Sequence, residues 1–145
     1  MKIPFNPEEE ILHYCEHIMN THIQVLRNNQ RTKTWYWDYP AMAVICHDKD
    51  CNVKRSSYSH YPQKNEFHQD LERKLQKLGT IGLGCNKDGK RFTIGNCAEQ
   101  HAANIFMKQF NESNLNNLYF SKPMRPRTKQ TFDYCDNCKD TFPNL

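Results

Sequence analysis

The stretch Thr93-Ile94-Gly95-Asn96-Cys97-Ala98-Glu99-Gln100-His101-Ala102-Ala103-Asn104-Ile105-Phe106 sets a thiol and a carboxylate two positions apart where a helix begins. Ala98, Ala102, Ile105, Phe106 and Phe110 recur at helical spacing, so Asn96 to Phe110 reads as an amphipathic helix. Its exposed first-turn N–H groups and dipole favour negative charge, and a cysteine there is biased toward thiolate.

A second pair of thiols follows in Tyr134-Cys135-Asp136-Asn137-Cys138. On the first turn of a helix over Cys135 to Phe142, residues three apart lie on one side, within reach of one ion. Two helix starts that meet would offer Cys97, Cys135 and Cys138 to one Zn²⁺, leaving a fourth position open. Three protein ligands and an open place is the catalytic arrangement; structural sites are closed with four. Zinc lowers the pKa of a bound water from ~15.7 toward ~7. Glu99 would share the cavity without ligating, and a carboxylate in so dry a place has a raised pKa and can shuttle protons. The competing reading is a closed four-cysteine structural site, with Cys85 as fourth ligand.

Composition bounds these readings. The 145 residues fit one domain, 1–145. Apolar residues are 37%, low for a globular domain, but eight Phe, seven Tyr and two Trp can build a core and leave rings for a surface. A net charge of +4 permits a polyanionic partner without demanding one. No apolar run is long enough for a bilayer, and MKIPFNPEEE lacks the apolar core of an export signal. The expectation is a chain acting in the cytoplasm, unless an export signal lies in a longer secreted protein. Seven irregularly spaced cysteines read as reduced thiols with a metal site, not as a disulfide framework.

Elsewhere, Asn6-Pro7-Glu8-Glu9 starts a helix running to about Asn28-Asn29, with Ile11, Cys15, Ile18, His22, Val25 and Leu26 as its stripe. Ala41 to His47 reads as a buried strand, and Val53 to Ser59 pairs back with it. Asn65-Glu66 opens a helix striped by Phe67, Leu71, Leu75 and Leu78 and ended by Gly79. Ile81–Gly84 and Arg91–Ile94 flank a hairpin turn, and Leu118 to Phe120 is a short strand. Alternating helices and strands predict an α/β fold with one sheet.

These motifs resemble the zinc-dependent nucleoside and nucleobase deaminase superfamily, whose signature is His or Cys, any residue, Glu, and later Pro-Cys-x-x-Cys. GNCAEQHAAN (95–104), KPMRPRTKQ (122–130) and YCDNCKDTF (134–142) together look most like its small toxin-type domains, effectors of bacterial conflict systems. The resemblance implies a three-layer α-β-α sandwich of the cytidine-deaminase type, one mixed sheet with helices on both faces. It is either trimmed at its C-terminal end or supplied with strands from Thr80 to Ile94. It implies Cys97, Cys135 and Cys138 as zinc ligands and Glu99 as proton shuttle. The implied reaction is hydrolysis at C4 of cytosine or C6 of adenine. Tyr134 departs from the pattern, standing where the signature has proline.

Substrate contacts expected from position are Trp35, Tyr36, Trp37, Ala98, Tyr119, Lys122, Arg125 and Arg127. Trp35, Tyr36 and Trp37 precede the first strand and either stack on splayed bases or pack beneath their loop. Lys122, Arg125, Arg127 and Lys129 lead into the zinc cysteines with no acid among them, and either hold phosphates or form a solvated loop. His101, four after Cys97, reads as a residue behind the ligands. The expected partner is nucleic acid, single-stranded DNA foremost because an unstacked base is least costly to engage. A monomer is expected, and an immunity protein if the chain is a toxin.

Overall fold

The computed structural model describes residues 3–28, 39–87 and 90–145. Its centre is strand β1 (Ala43–His47), in which all five residues are buried. An apolar run without alternation is what a strand covered on both faces requires. Alternate residues then serve opposite sides. Ala43 and Ile45 join Ile11, Cys15, Ile18 and Met124; Val44 and Cys46 join the larger cluster with Leu71, Leu75, Ala102, Phe106 and Phe142.

The first cluster is the contact with α1 (Pro7–Asn28). Asn6 caps this helix by accepting from the Glu8 N–H at 2.9 Å, and Glu8, Glu9 and Glu10 lie at its positive end. Ile11, Cys15 and Ile18 are the buried i, i+4, i+7 stripe, as the sequence spacing requires.

β1 is flanked by β2 (Lys54–Tyr58) and β5 (Tyr119–Phe120), both antiparallel to it. Ser121 secures the β5 side, its N–H donating to the Ile45 carbonyl and its Oγ accepting from the Ile45 N–H, each at 2.9 Å. The expectation of one mixed sheet is therefore corrected. The three-stranded sheet is antiparallel, and β3 (Gly84–Lys87) pairs with β4 (Lys90–Thr93) as a separate hairpin. Residues 81–83 turn instead of extending. Gly79 and Gly82 have positive φ, and Leu83 N–H bonds back to the Thr80 carbonyl. Gly79 also lets the chain cross Ile94, whose Cδ1 would lie 2.8 Å from an added Cβ.

α2 (Gln69–Gln76) buries Leu71 and Leu75, but begins later than the expected Asn65-Glu66. Asn65 takes a left-handed φ of 60°, and His68 Nδ1 becomes the cap, accepting from the Asp70 N–H. α3 (Ala98–Gln109) crosses β1 and β2, with Ala98, Ala102 and Ala103 allowing close approach. α4 (Asp136–Thr141) ends in Phe142, whose ring packs 4.8 Å from that of Phe120. The chain is thus α/β, with helices packed on both faces of a small sheet. Among the described residues no helix is long and apolar enough to cross a membrane.

Adjacent residues on α1 test this packing. Ile11→Ala, at a site 2% exposed, is expected to lower unfolding stability by ~2–5 kcal/mol. Leu12→Ala, at a site 38% exposed, should change it by less than ~1 kcal/mol. Urea unfolding of the two variants checks the difference.

Candidate metal centre

Cys97 is the N-cap of α3 and Cys135 the N-cap of α4, as the two helix starts in the sequence imply. Both have extended backbone there, which turns their side chains off the helix ends. Gln100 secures the α3 start by accepting from the Cys97 N–H at 3.3 Å. Cys138, one turn into α4, is fully buried.

The three sulfurs lie within 4.8 Å of one another, with Cys97 and Cys135 at 3.3 Å. A tetrahedral zinc bonded at ~2.3 Å sets sulfur–sulfur spacings of roughly 3.8 Å, so this cluster can close on one such ion by small rotations. Its electrostatics favour a cation. Hydrogen bonds from the Cys138 and Cys97 thiols, helped by the Cys138 and Asn137 backbone N–H groups, pull Cys135 down to about 3. Cys97 is pushed up, first by its bond to Cys135, and Cys138 is pushed up chiefly by burial. One thiolate thus holds the charge while two neighbours stay protonated; all three ionise together only around a metal ion.

Glu99 is 4% exposed, and its Oε2 accepts from the Cys138 thiol at 3.3 Å. Burial raises its carboxyl to about 7. Cys97, Cys135 and Glu99 line a cavity of about 540 Å³ together with Met42, Ser59, Asn96, Phe132 and Tyr134, while Cys138 is buried against Glu99. The cavity is large enough for a planar base and has apolar walls with a few polar groups, as small-ligand sites have.

The remaining expected residues divide. Ala98 lines the cavity. Lys122 Nζ lies 5.0 Å over the ring of Tyr134, and the Arg125 guanidinium lies 4.6 Å over Phe132. Both rings line the cavity, and the two cations lie over them without lining it; Lys122 also faces Asp133 at 3.8 Å, an acid that comes near it through the fold. Arg127 is exposed on the same arm, where Arg125 N–H bonds to the Gln130 carbonyl and Lys129 N–H to the Arg125 carbonyl. Tyr119 does not line the cavity; its ring stacks on His47. Trp35, Tyr36 and Trp37 lie outside the described residues. Cys85 sits on β3 opposite Phe92, with its side chain outside them.

Tyr134, which replaces the expected proline, has a structural role that the motif did not reveal. Its hydroxyl donates toward the Phe120 and Ser121 carbonyls, at 3.2 and 3.0 Å, and burial raises its pKa to about 12, so it stays a donor. It ties the approach to Cys135 onto the edge strand. His101 does not join the thiols; it lies with His60 and Glu66.

Compared with family models, with curated proteins and with solved structures, the chain matches none.

Cobalt(II) tests the cluster. One equivalent added to the reduced, chelator-treated protein is expected to give an intense thiolate-to-cobalt absorption band. Cys135→Ser should weaken that band and lower cobalt affinity at least ~10-fold, as read by competition with a chelator.

Proposed function

We propose that this chain is a zinc-dependent hydrolytic deaminase that converts cytosine to uracil in nucleic acid, single-stranded DNA foremost. The observation that carries the reading is the cluster of three thiols with one buried carboxyl, of which Cys97, Cys135 and Glu99 line a single cavity. A helix on each face of the sheet, with the thiols at two helix starts, is in keeping with the deaminase type of three-layer sandwich.

Cys97, Cys135 and Cys138 would hold the zinc, which when bound supplies a Lewis acid that makes water a nucleophile near neutral pH. The chain's own contribution to the chemistry is Glu99. A carboxyl near 7 can take a proton at neutral pH and give it back. It accepts a proton from the attacking water and delivers it to the pyrimidine ring nitrogen, then takes the proton of the new C4 hydroxyl and delivers it to the departing amino group. The oxygen of water becomes the C4 carbonyl and nitrogen leaves as ammonia, so one water is consumed per base. Phe132 and Tyr134 offer faces for the base, and Asn96 and Ser59 offer polar groups for its edge.

The polymer is favoured over a free nucleoside by the arm from Lys122 to Lys129. Its cations stand over the cavity's own aromatic rings, where the phosphates beside an extruded base would pass. Such an activity fits an effector domain, which its producer would restrain with an immunity protein.

The test uses zinc-loaded protein and its Glu99→Gln variant on single-stranded DNA, duplex DNA, RNA and free nucleosides, with products read by mass spectrometry for exchange of NH₂ for OH. Glu99→Gln is expected to keep its zinc and lose activity by ~10²–10⁴-fold. No conversion by the parent on any substrate, with four protein ligands found by X-ray absorption, would point to a closed structural zinc instead. Arg125→Ala should weaken binding of single-stranded DNA at all sequences and reduce the slope of log affinity against log salt by ~1. Fluorescence anisotropy across a salt series reads both.

A further inference from the structure

One turn along α3 from Cys97 lies a second group of ligand atoms that the proposed chemistry does not use. Glu66, His101 and His60 each offer one, all within 4.8 Å of one another. We propose that these three residues bind a divalent transition-metal ion of the zinc class, which clasps the 60–68 loop to the start of α3. The proposal is independent of the deaminase reading.

His101 is held in one tautomer. Its Nε2 lies 2.8 Å from the His60 carbonyl, which can only accept, so Nε2 carries the hydrogen. A neutral imidazole then presents a lone pair at Nδ1, and that atom faces Glu66 Oε1 at 3.4 Å. Two lone pairs so placed repel each other unless a proton, on either group, or a metal ion lies between them.

A proton on Nδ1 would be one such cation. It would create an imidazolium at a residue 2% exposed, with the His60 ring stacked 3.5 Å away. The separation of 3.4 Å also exceeds the ~2.7–3.2 Å of an N–H···O bond. It matches the ~3.3–3.4 Å between nitrogen and oxygen donors on one tetrahedral ion with bonds of ~2.0–2.1 Å. A histidine whose other nitrogen donates to a backbone carbonyl is also the usual form of a metal-ligating imidazole.

The backbone around these ligands is already held. Asn104 Nδ2 donates to the Glu66 carbonyl at 2.9 Å, and its Oδ1 accepts from the His68 N–H. The His60 N–H donates to the Asn96 carbonyl at 3.1 Å. His60 itself lies flat on His101, tilted by only 21°, and its Nδ1 donates toward the Tyr61 carbonyl at 3.3 Å, which leaves Nε2 with the lone pair. Rotation of this half-buried ring about its side-chain torsions brings a nitrogen to the ion. A cavity of about 390 Å³, bordered by Tyr61, Pro62 and Glu66, gives the ion a way in.

The full chain, stripped by chelator and equilibrated with zinc(II) or cobalt(II), is expected to hold about two ions, counted by mass spectrometry. His60→Gln and Glu66→Gln should each reduce the count to about one and leave the thiolate-to-cobalt band intact. Neither substitution removes a buried apolar group, and the band reports that the fold persists. A parent holding only the ion that gives the band, or a second ion that survives both substitutions, overturns the proposal. Failure of the thiol centre reads differently: the band is absent, while an ion sensitive to Glu66→Gln remains.

Discussion

Three thiol sulfurs within 4.8 Å of one another cannot ionise together without a cation, and much of the molecule exists to hold them there nonetheless. Neither helix start does so alone. Cys97 is fixed by α3, which rests on the sheet through alanines and cannot slide without losing the contacts of Phe106 and Met107. Cys135 and Cys138 are fixed by α4, anchored by Phe142 in the same cluster and by the Tyr134 hydroxyl on β5. β1 is what brings the two together. It carries β5 on one edge and lies under α3 with its Val44–Cys46 face. The distance between the thiols is therefore set by the packing of the whole sheet.

What could be read in the chain beforehand was local. The Asn6 cap, the unbroken apolar run of β1, and the two cysteines at helix starts each depend on a few neighbours in sequence. What could not be read depended on chain direction and distant contacts. Asn65 turns left-handed and delays α2, which no periodicity signals. The glycines at 79 and 82 turn the chain away before β3, so the hairpin stands apart from the sheet. Tyr134 looked like a missing proline, because its bonds reach carbonyls 13 and 14 residues back. His60 and Glu66 carried no spacing that could join them to His101, 41 and 35 positions on.

The basic arm illustrates the same limit. Its sequence contains no acid, yet folding sets Lys122 near Asp133, and Asp133 also pairs with Lys139 at 3.0 Å. Asp133 is exposed, and such pairs contribute little stability. Their effect is on placement: two lysines and one aspartate lie at one edge of the cavity, while Arg125 stands over Phe132 at 4.6 Å. Lys122 thus faces an acid 11 positions away in the chain, whereas Arg125 faces an aromatic ring.

The first two turns of α3 bury four polar residues, an uncommon cost for a helix that could have been apolar. Three are accounted for by what they hold. Asn104 secures the 66–68 loop, His101 meets the His60 carbonyl and Glu66, and Gln100 accepts from the Cys97 N–H. Glu99 secures no distant loop; its carboxylate meets its own backbone N–H and the Cys138 thiol. Raising its carboxyl from 4.5 to about 7 means that the folded state loses stability as pH climbs through that interval. The loss is roughly 3 kcal/mol once the group is ionised. A glutamine or a methionine would fill the space without that cost. A carboxyl kept there, beside a thiol and at a cavity wall, is the feature on which the proposed proton transfer rests.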